Sequence, residues 1–314
     1  MAALAAIVSM LEPDDPPEAE EHAAQPPLAE CFPMAWLHGT ASDGYSRRMT
    51  NAGTLSNRVA MVGGASQGIG RACAMQLATR GARVIISGRN AEGLEKVLKE
   101  LPAVDGGSHE MLLQDHADGN AMELAMDGFV AKLGAVHILV INSGGPSPGF
   151  LIDANAEDIG RAIHQHVCTA QRVVQACVSG MRGAGFGRIV AVTSTSVVTP
   201  IRGLGVSNVV RAAMGNWIRT LASELGRFSI TANAVMPGAT KTGRFDALIQ
   251  GRASRAGSSV QVVEQETVAR IPVGRIGTPE EIAAVVAFLC SPEASFVNGA
   301  IVPVDGGQLA VQNL

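Results

Sequence analysis

Three observations predict that the 314-residue chain adopts an α/β fold, a doubly wound parallel sheet in a single domain over residues 55–314. Short apolar runs alternate with amphipathic stretches from residue 58 to residue 304. The runs are continuously apolar, the pattern of strands covered by helices on both faces. The first run leads directly into a glycine-rich turn and then a helical pattern, and right-handed crossovers order such units into an open sheet.

The strands are expected at 58–63 (RVAMVG), 83–87 (RVIIS), 110–114 (EMLLQ), 136–141 (VHILVI), 188–193 (RIVAVT), 230–235 (ITANAV) and 300–304 (AIVPV). Each is short, apolar and rich in Val or Ile, residues that fit a pleated buried surface. The helices are expected at 68–80, 91–100, 118–133, 155–182, 206–226 and 279–290, where apolar residues recur at helical spacing. The stretch 243–270 is rich in Arg, Ser and Gly with weak patterning, and is expected to be a mobile insertion. No internal repeat is present.

Composition bounds the class. Hydrophobic residues make up 47% and charged residues 17%, which excludes a disordered chain overall. The 36 glycines follow no three-residue period, which excludes collagen. Residues 1–54 carry a net charge of -6 and the remainder +2, so neither part has the dense basic face that nucleic acid requires. Residues 1–54 mix Pro, Glu, Ala and Ser without period and are expected to be a disordered acidic extension. A start at Met49 is the alternative. The apolar first residues lack a basic flank and are followed by acids, unlike a secretory signal or a presequence. No run of eighteen apolar residues occurs, so no membrane span is expected. Cys31, Cys73, Cys168, Cys177 and Cys290 have no metal-ligand spacing and mostly fall in apolar helical patterns, as buried thiols do. No metal site is expected, and a cytoplasmic location fits.

The turn Gly63-Gly64-Ala65-Ser66-Gln67-Gly68-Ile69-Gly70 follows the first strand of a βαβ unit. Glycine there lets backbone approach a pyrophosphate, and the helix start offers free N–H groups and a positive dipole end. The second strand ends in Ser87-Gly88-Arg89-Asn90. An acid at that position would bind ribose hydroxyls; Arg89 instead suits a 2′-phosphate, which predicts NADP(H).

These residues resemble the short-chain dehydrogenase/reductase family, in particular its 3-oxoacyl-carrier-protein reductase-like members, over about residues 55–308. The resemblance implies a Rossmann fold. Gly64, Gly68 and Gly70 match TGxxxGxG, with Gly63 in place of Thr, and Ser66, Gln67 and Ile69 lie within the loop. Asp115 takes the place of the family's adenine-contacting acid after the third strand. Asn142 and Gly144 belong to Asn142-Ser143-Gly144-Gly145, which stands in for NNAG. Pro237, Gly238 and Thr242 match PGxxxT, whose Thr contacts the nicotinamide carboxamide in the family. Arg275-Ile276-Gly277-Thr278-Pro279-Glu280-Glu281 and Val304-Asp305-Gly306-Gly307 resemble the family's last helix and strand.

The catalytic positions depart from the family pattern of Asn, Ser, Tyr and Lys. Ser194 matches the Ser. Thirteen residues on stands Ser207 rather than Tyr, four further stands Arg211 rather than Lys, and His166 stands at the Asn position. The chain's single tyrosine is Tyr45, and none of its four lysines lies four residues after a tyrosine. A serine hydroxyl is shorter and far less acidic than a phenol, and losing a positioned general acid costs about 10²–10⁴-fold in rate. Arg211 keeps a cation one helical turn from Ser207 and can hold ribose hydroxyls or stabilise an oxyanion, but it is a poor proton donor. Two readings follow. In one, the chain is an NADP(H)-dependent oxidoreductase acting on a carbonyl/alcohol pair, with Ser194 and Arg211 polarising the substrate and a water or His166 supplying the proton. In the other, it binds the dinucleotide without hydride chemistry, as a sensor or partner subunit. Individual residues also have plain structural readings: Ser207 as cap of a helix beginning near Asn208, Asp115 as a strand-end turn residue, and His166 as a satisfied helix residue.

The resemblance places the 243–270 stretch at the substrate lid. Its Arg244, Arg252, Arg255 and Arg270 suit an acidic substrate group or acyl carrier, or else form a solvated face. The expected substrate is a small molecule or an acyl thioester. The resemblance also implies a homo-oligomer, a dimer or tetramer, assembled through the helices at 155–182 and 206–226.

Overall fold

The computed structural model describes residues 54–311. Tyr45, Met49, Cys31 and the acidic extension up to residue 53 lie outside the described residues. Every expected strand forms: β1 Val59–Val62, β2 Arg83–Gly88, β3 Glu110–Leu113, β4 Ile138–Ile141, β5 Gly187–Val192, β6 Ile230–Pro237 and β7 Ile301–Val304. All pair in parallel, in the order β3-β2-β1-β4-β5-β6-β7. The order reverses between β1 and β4, which opens a crevice at their C-terminal ends.

Strand periodicity divides the core. Ala60, Val62, Ile138, Val140, Val190 and Val192 point to one face, while Val59, Met61, Leu139, Ile189 and Ala191 point to the other. The first face is covered by α1 (Gly68–Thr79), α2 (Ala91–Glu100) and the late helix Pro279–Leu289, through Cys73, Leu77, Leu94, Val97, Ile282 and Val286. The second is covered by α3 (Gly119–Leu133) and the long helices of the chain's middle, through Met122, Met126, Val174, Met181, Met214 and Ile218. Both faces of the sheet are therefore dry, which explains why the strands read as unbroken apolar runs. Cys73, Cys177 and Cys290 are buried in these layers, and burial pushes the Cys177 and Cys290 thiols up to about 12.

Local signals set the helix starts. Asn90 accepts a hydrogen bond from the Gly93 N–H at 3.1 Å to cap α2, and Asp118 accepts from the Ala121 N–H at 3.0 Å to cap α3. Residue 118 is thus the cap of its helix. Thr278 and Glu281 form a reciprocal capping box, with Pro279 in the first turn.

Two expectations change. The continuous helix expected at 155–182 is α4 (Ala156–Ile163), a π-helical turn at His164–Cys168, and α5 (Thr169–Gly183). The unpatterned stretch at 243–270 folds into α7 (Gly243–Ala256) and α8 (Val260–Val268). Phe245, Ile249, Ala253 and Val263 give that pair a small core of its own. Between these lies α6 (Gly205–Leu225), and α9 is Pro279–Leu289. Among the described residues no helix is long and apolar enough to cross a membrane.

Candidate active site

The crevice between β1 and β4 is lined by glycines, and at Gly63 and Gly70 a side chain has no room. Gly64 and Gly68 adopt φ of 59° and 56°, the left-handed region that favours glycine. A Cβ on Gly70 would lie 2.3 Å from the Gly64 carbonyl oxygen. α1 starts at Gly68, and Gln67 caps it with extended backbone and no side-chain hydrogen bond, so the first N–H groups stay open to an anion. Ile69 packs on the core behind the loop. This cradle fits a dinucleotide pyrophosphate: backbone closes on itself where glycine stands and leaves the helix start free.

Gly63 has a packing cause of its own. A Cβ there would lie 2.4 Å from the Asn142 carbonyl oxygen and 2.7 Å from His116 Cε1. Asn142 donates from Nδ2 to the Gly63 carbonyl at 2.9 Å, tying the end of β4 to the end of β1. His116 shares a 3.0 Å hydrogen bond between Nε2 and Ser87 Oγ. His116 was not singled out from the sequence, although it directly follows Asp115 at the strand end.

At the end of β2, Ser66 and Arg89 flank Gly88. Ser66 Oγ lies 3.9 Å from where a Gly88 Cβ would stand, and Arg89 is 70% exposed. Arg89 forms a loose 3.6 Å ion pair with Asp115, and Asp115 also accepts from the Ala117 N–H at 2.9 Å in a turn. Asp115 thus both makes the turn and stands beside Arg89. An open cavity of about 420 Å³ includes Asp115 together with Asp118, His164 and Arg172.

The other expected residues gather at the ends of β4, β5 and β6. Ser194 follows β5 and accepts from the Ser196 N–H at 3.2 Å, capping a short turn over Thr195–Val197. Arg211 on α6 donates to the Val192 carbonyl at 2.9 Å. Burial, and then the Arg244 charge, pull the Arg211 guanidinium down to about 10, so it remains a cation at neutral pH. Ser207 is buried one turn earlier; α6 begins at Gly205 with Leu204 as cap, so the cap reading of Ser207 does not hold. His166 sits in the π turn, 4% exposed, with Nδ1 3.0 Å from Ser143 Oγ. Its Nε2 is buried with no partner among the described residues. Burial, Arg211 and His116 together hold the imidazole down at about 3. A π turn places an extra residue in the helix, and such turns recur at functional sites.

β6 ends at Pro237. A Cβ on Gly238 would lie 2.7 Å from Asp305 Cα, so only glycine lets the two loops pass. Thr242 caps α7 by accepting from the Phe245 N–H at 3.2 Å, and its methyl would sit 3.2 Å from a Gly68 Cβ. The loop after β6 therefore closes on the phosphate loop. A Cβ at Gly144 would meet nothing within 4 Å, which leaves that backbone facing open space. Of the four arginines in the 243–270 stretch, Arg244 reaches the loop after β4: Nη2 donates to the Pro146 carbonyl at 2.6 Å. Arg252 bonds Thr267 within the stretch, and Arg255 and Arg270 are exposed.

The family model described as enoyl-(acyl carrier protein) reductase matches residues 64–308. The 3-oxoacyl-[acyl-carrier-protein] reductase FabG of Pseudomonas aeruginosa is 33% identical over 256 residues, 81% of this chain and 98% of that protein. The NADPH-dependent reductase BacG of Bacillus subtilis is 28% identical over 256 residues, 81% of this chain and 99% of that protein. The crystal structure of L-sorbose reductase from Gluconobacter frateurii, complexed with NADPH and L-sorbose, superposes with a TM-score of 0.76 at 28% identity, covering 81% of this chain and 97% of that one.

Proposed function

The chain belongs to the short-chain dehydrogenase/reductase family, and from that membership we propose that it is an NADP(H)-dependent oxidoreductase of a carbonyl/alcohol pair with a non-standard catalytic site. One observation carries the reading. The Arg211 cation is fixed by the Val192 carbonyl beside the strand end that bears Ser194 and against the backbone at Gly145. A cation and a hydroxyl at that edge can stabilise charge developing on a substrate oxygen.

NADP(H), when bound, supplies or accepts the hydride. Gly64, Ser66, Gln67, Gly68, Ile69 and Gly70 would hold the pyrophosphate, and Arg89 would pair with the 2′-phosphate. Asp115 would contact the adenine, while Asn142, Gly144, Pro237, Gly238 and Thr242 would hold the nicotinamide end. Ser194 donates to the substrate oxygen, and Arg211 holds ribose hydroxyls and the oxyanion. Ser207 lines the same helix face. The proton reaches the oxygen through a water. His166, held near 3, is neutral at physiological pH and serves better to orient Ser143 than as an imidazolium donor.

The second reading, a dinucleotide-binding sensor or partner subunit without turnover, is favoured by one fact: residues 55–314 contain no tyrosine. The relatives are named reductases and dehydrogenases, and a small-molecule or acyl-thioester substrate is proposed on that likeness. A cytoplasmic homodimer or homotetramer, assembled through α4–α6 and binding neither membrane nor nucleic acid, completes the proposal. An NADPH-oxidation screen over ketones, 3-oxoacyl thioesters and quinones tests it. Turnover of a carbonyl supports the enzyme; tight NADPH binding with no turnover across the panel supports the second reading.

A further inference from the structure

Two arginines from different elements converge on one backbone position. The Nη2 atoms of Arg244 and Arg211 lie 3.5 and 3.6 Å from the point where a Gly145 Cβ would stand. Neither guanidinium has a carboxylate within ion-pair distance among the described residues, although nine ion pairs occur elsewhere in them. Each is instead anchored by one main-chain carbonyl, Val192 for Arg211 and Pro146 for Arg244. A guanidinium has five N–H donors, so both keep free donors after these bonds. Two like charges held near each other without an acid repel, and burial first and then the Arg244 charge depress the Arg211 pKa.

Arg244 also sits in the first turn of α7, a 14-residue helix whose positive end adds to the same field. Gly145 has no side chain, so no Cβ stands against the two Nη2 atoms.

We propose that the substrate carries an anionic group, a carboxylate or a phosphate, which binds between Arg211 and Arg244 beside Gly145. The inference rests on the oxidoreductase reading for the word substrate and deepens it: the carbonyl compound is an oxo acid or a phosphorylated ketone, not a neutral ketone. Arg211 serves at both the oxyanion and the anionic group. Arg244 is the specificity residue.

Isothermal titration of the NADP⁺-saturated protein provides the test. The probes are acetoacetate, its neutral methyl ester, and dihydroxyacetone phosphate, titrated into the original chain and into Arg244→Gln. The expected result is that at least one anion binds the original chain and loses tenfold or more in affinity with Arg244→Gln. The methyl ester should change less than twofold between the two proteins. Loss confined to acetoacetate identifies a carboxylate, and loss confined to dihydroxyacetone phosphate identifies a phosphate. Arg244→Lys, which retains the charge, should recover part of the loss. The proposal is overturned if neither anion binds, if ester and acid lose affinity equally, or if Arg244→Gln weakens NADP⁺ itself tenfold, which would make the arginine pair a cofactor clamp. Anion binding that depends on Arg244, with no NADPH oxidation in any assay, keeps this inference and sinks the enzyme. Turnover of neutral ketones without anion binding does the reverse.

Discussion

Arg211 on α6 donates to the main-chain carbonyl of Val192 at the end of β5, at 2.9 Å. The bond fixes the only cation on that face of α6 within one turn of Ser207, and it does so from a half-buried position. Arg211→Met removes the cation and leaves the Val192 carbonyl short of a donor. We expect kcat to fall about 10²–10³-fold, in line with removal of an oxyanion donor. The unsatisfied carbonyl should cost about 1–3 kcal/mol of stability. Steady-state kinetics and thermal unfolding read the two effects separately. A variant with full activity would remove Arg211 from the chemistry.

Arg89 is the residue proposed to set cofactor choice. It is largely exposed and only loosely paired to Asp115, so it is available to a 2′-phosphate. Charge-assisted hydrogen bonds are worth about 1.5–3 kcal/mol, so Arg89→Ala should weaken NADPH by about 10- to 100-fold. NADH, which lacks the phosphate, should lose little. Fluorescence titration of both nucleotides checks this, and equal losses would remove the 2′-phosphate role.

Gly70 closes the phosphate loop. A Cβ there would stand 2.3 Å from the Gly64 oxygen, so Gly70→Ala must push the loop apart. NADPH affinity should drop at least about tenfold, since the backbone donors move off the pyrophosphate. Calorimetry on the variant measures it, and unchanged affinity would show that the cradle is not where the phosphates bind.

The domain loses stability in acid through two histidines held neutral, His166 buried and His137 half-buried. Burial and Arg211 hold His166 at about 3, and burial and Arg58 hold His137 at about 4. Both lie below the free value of 6.5, so the folded state binds fewer protons than the unfolded one as pH falls. Their contribution is complete above pH 6.5 and is lost progressively toward pH 4 and 3. Between pH 7 and pH 5 His166 costs about 2 kcal/mol, and the partly exposed His137 costs less. Urea unfolding at the two pH values should show the loss, and His166→Asn should reduce it. Equal midpoints at pH 7 and 5 would contradict the assignment of neutral imidazoles.

Much of this architecture was legible in the sequence because its signals are local. Val59 to Val62 and Ile138 to Ile141 are apolar on both faces, and that alone marks strands of a covered sheet. The glycines of the phosphate loop announce their turn by composition. What was not legible depends on tertiary contact. The π turn at His164–Cys168 has no marker in HQHVC, because it is fixed by what His166 and Thr169 meet across the site. The α7–α8 pair was hidden because its core is only Phe245, Ile249, Ala253 and Val263, too few to outweigh the polar residues around them. His116 escaped because its role is to occupy the space that Gly63 leaves, a relation between residues 53 positions apart. Arg244 was visible as one of four arginines in the 243–270 stretch, but only the fold separates it from Arg252, Arg255 and Arg270.

The most direct test of the central claim is a transfer experiment with NADPH deuterated at the hydride-bearing carbon. The protein is mixed with that cofactor and a panel of ketones, 3-oxoacyl thioesters, quinones and small oxo acids, and the products are examined by mass spectrometry. The account predicts NADPH consumption with deuterium on the carbinol carbon of an alcohol product. Tight NADPH binding with no label transferred to any member of the panel would contradict it, and would leave a nucleotide-binding protein without hydride chemistry.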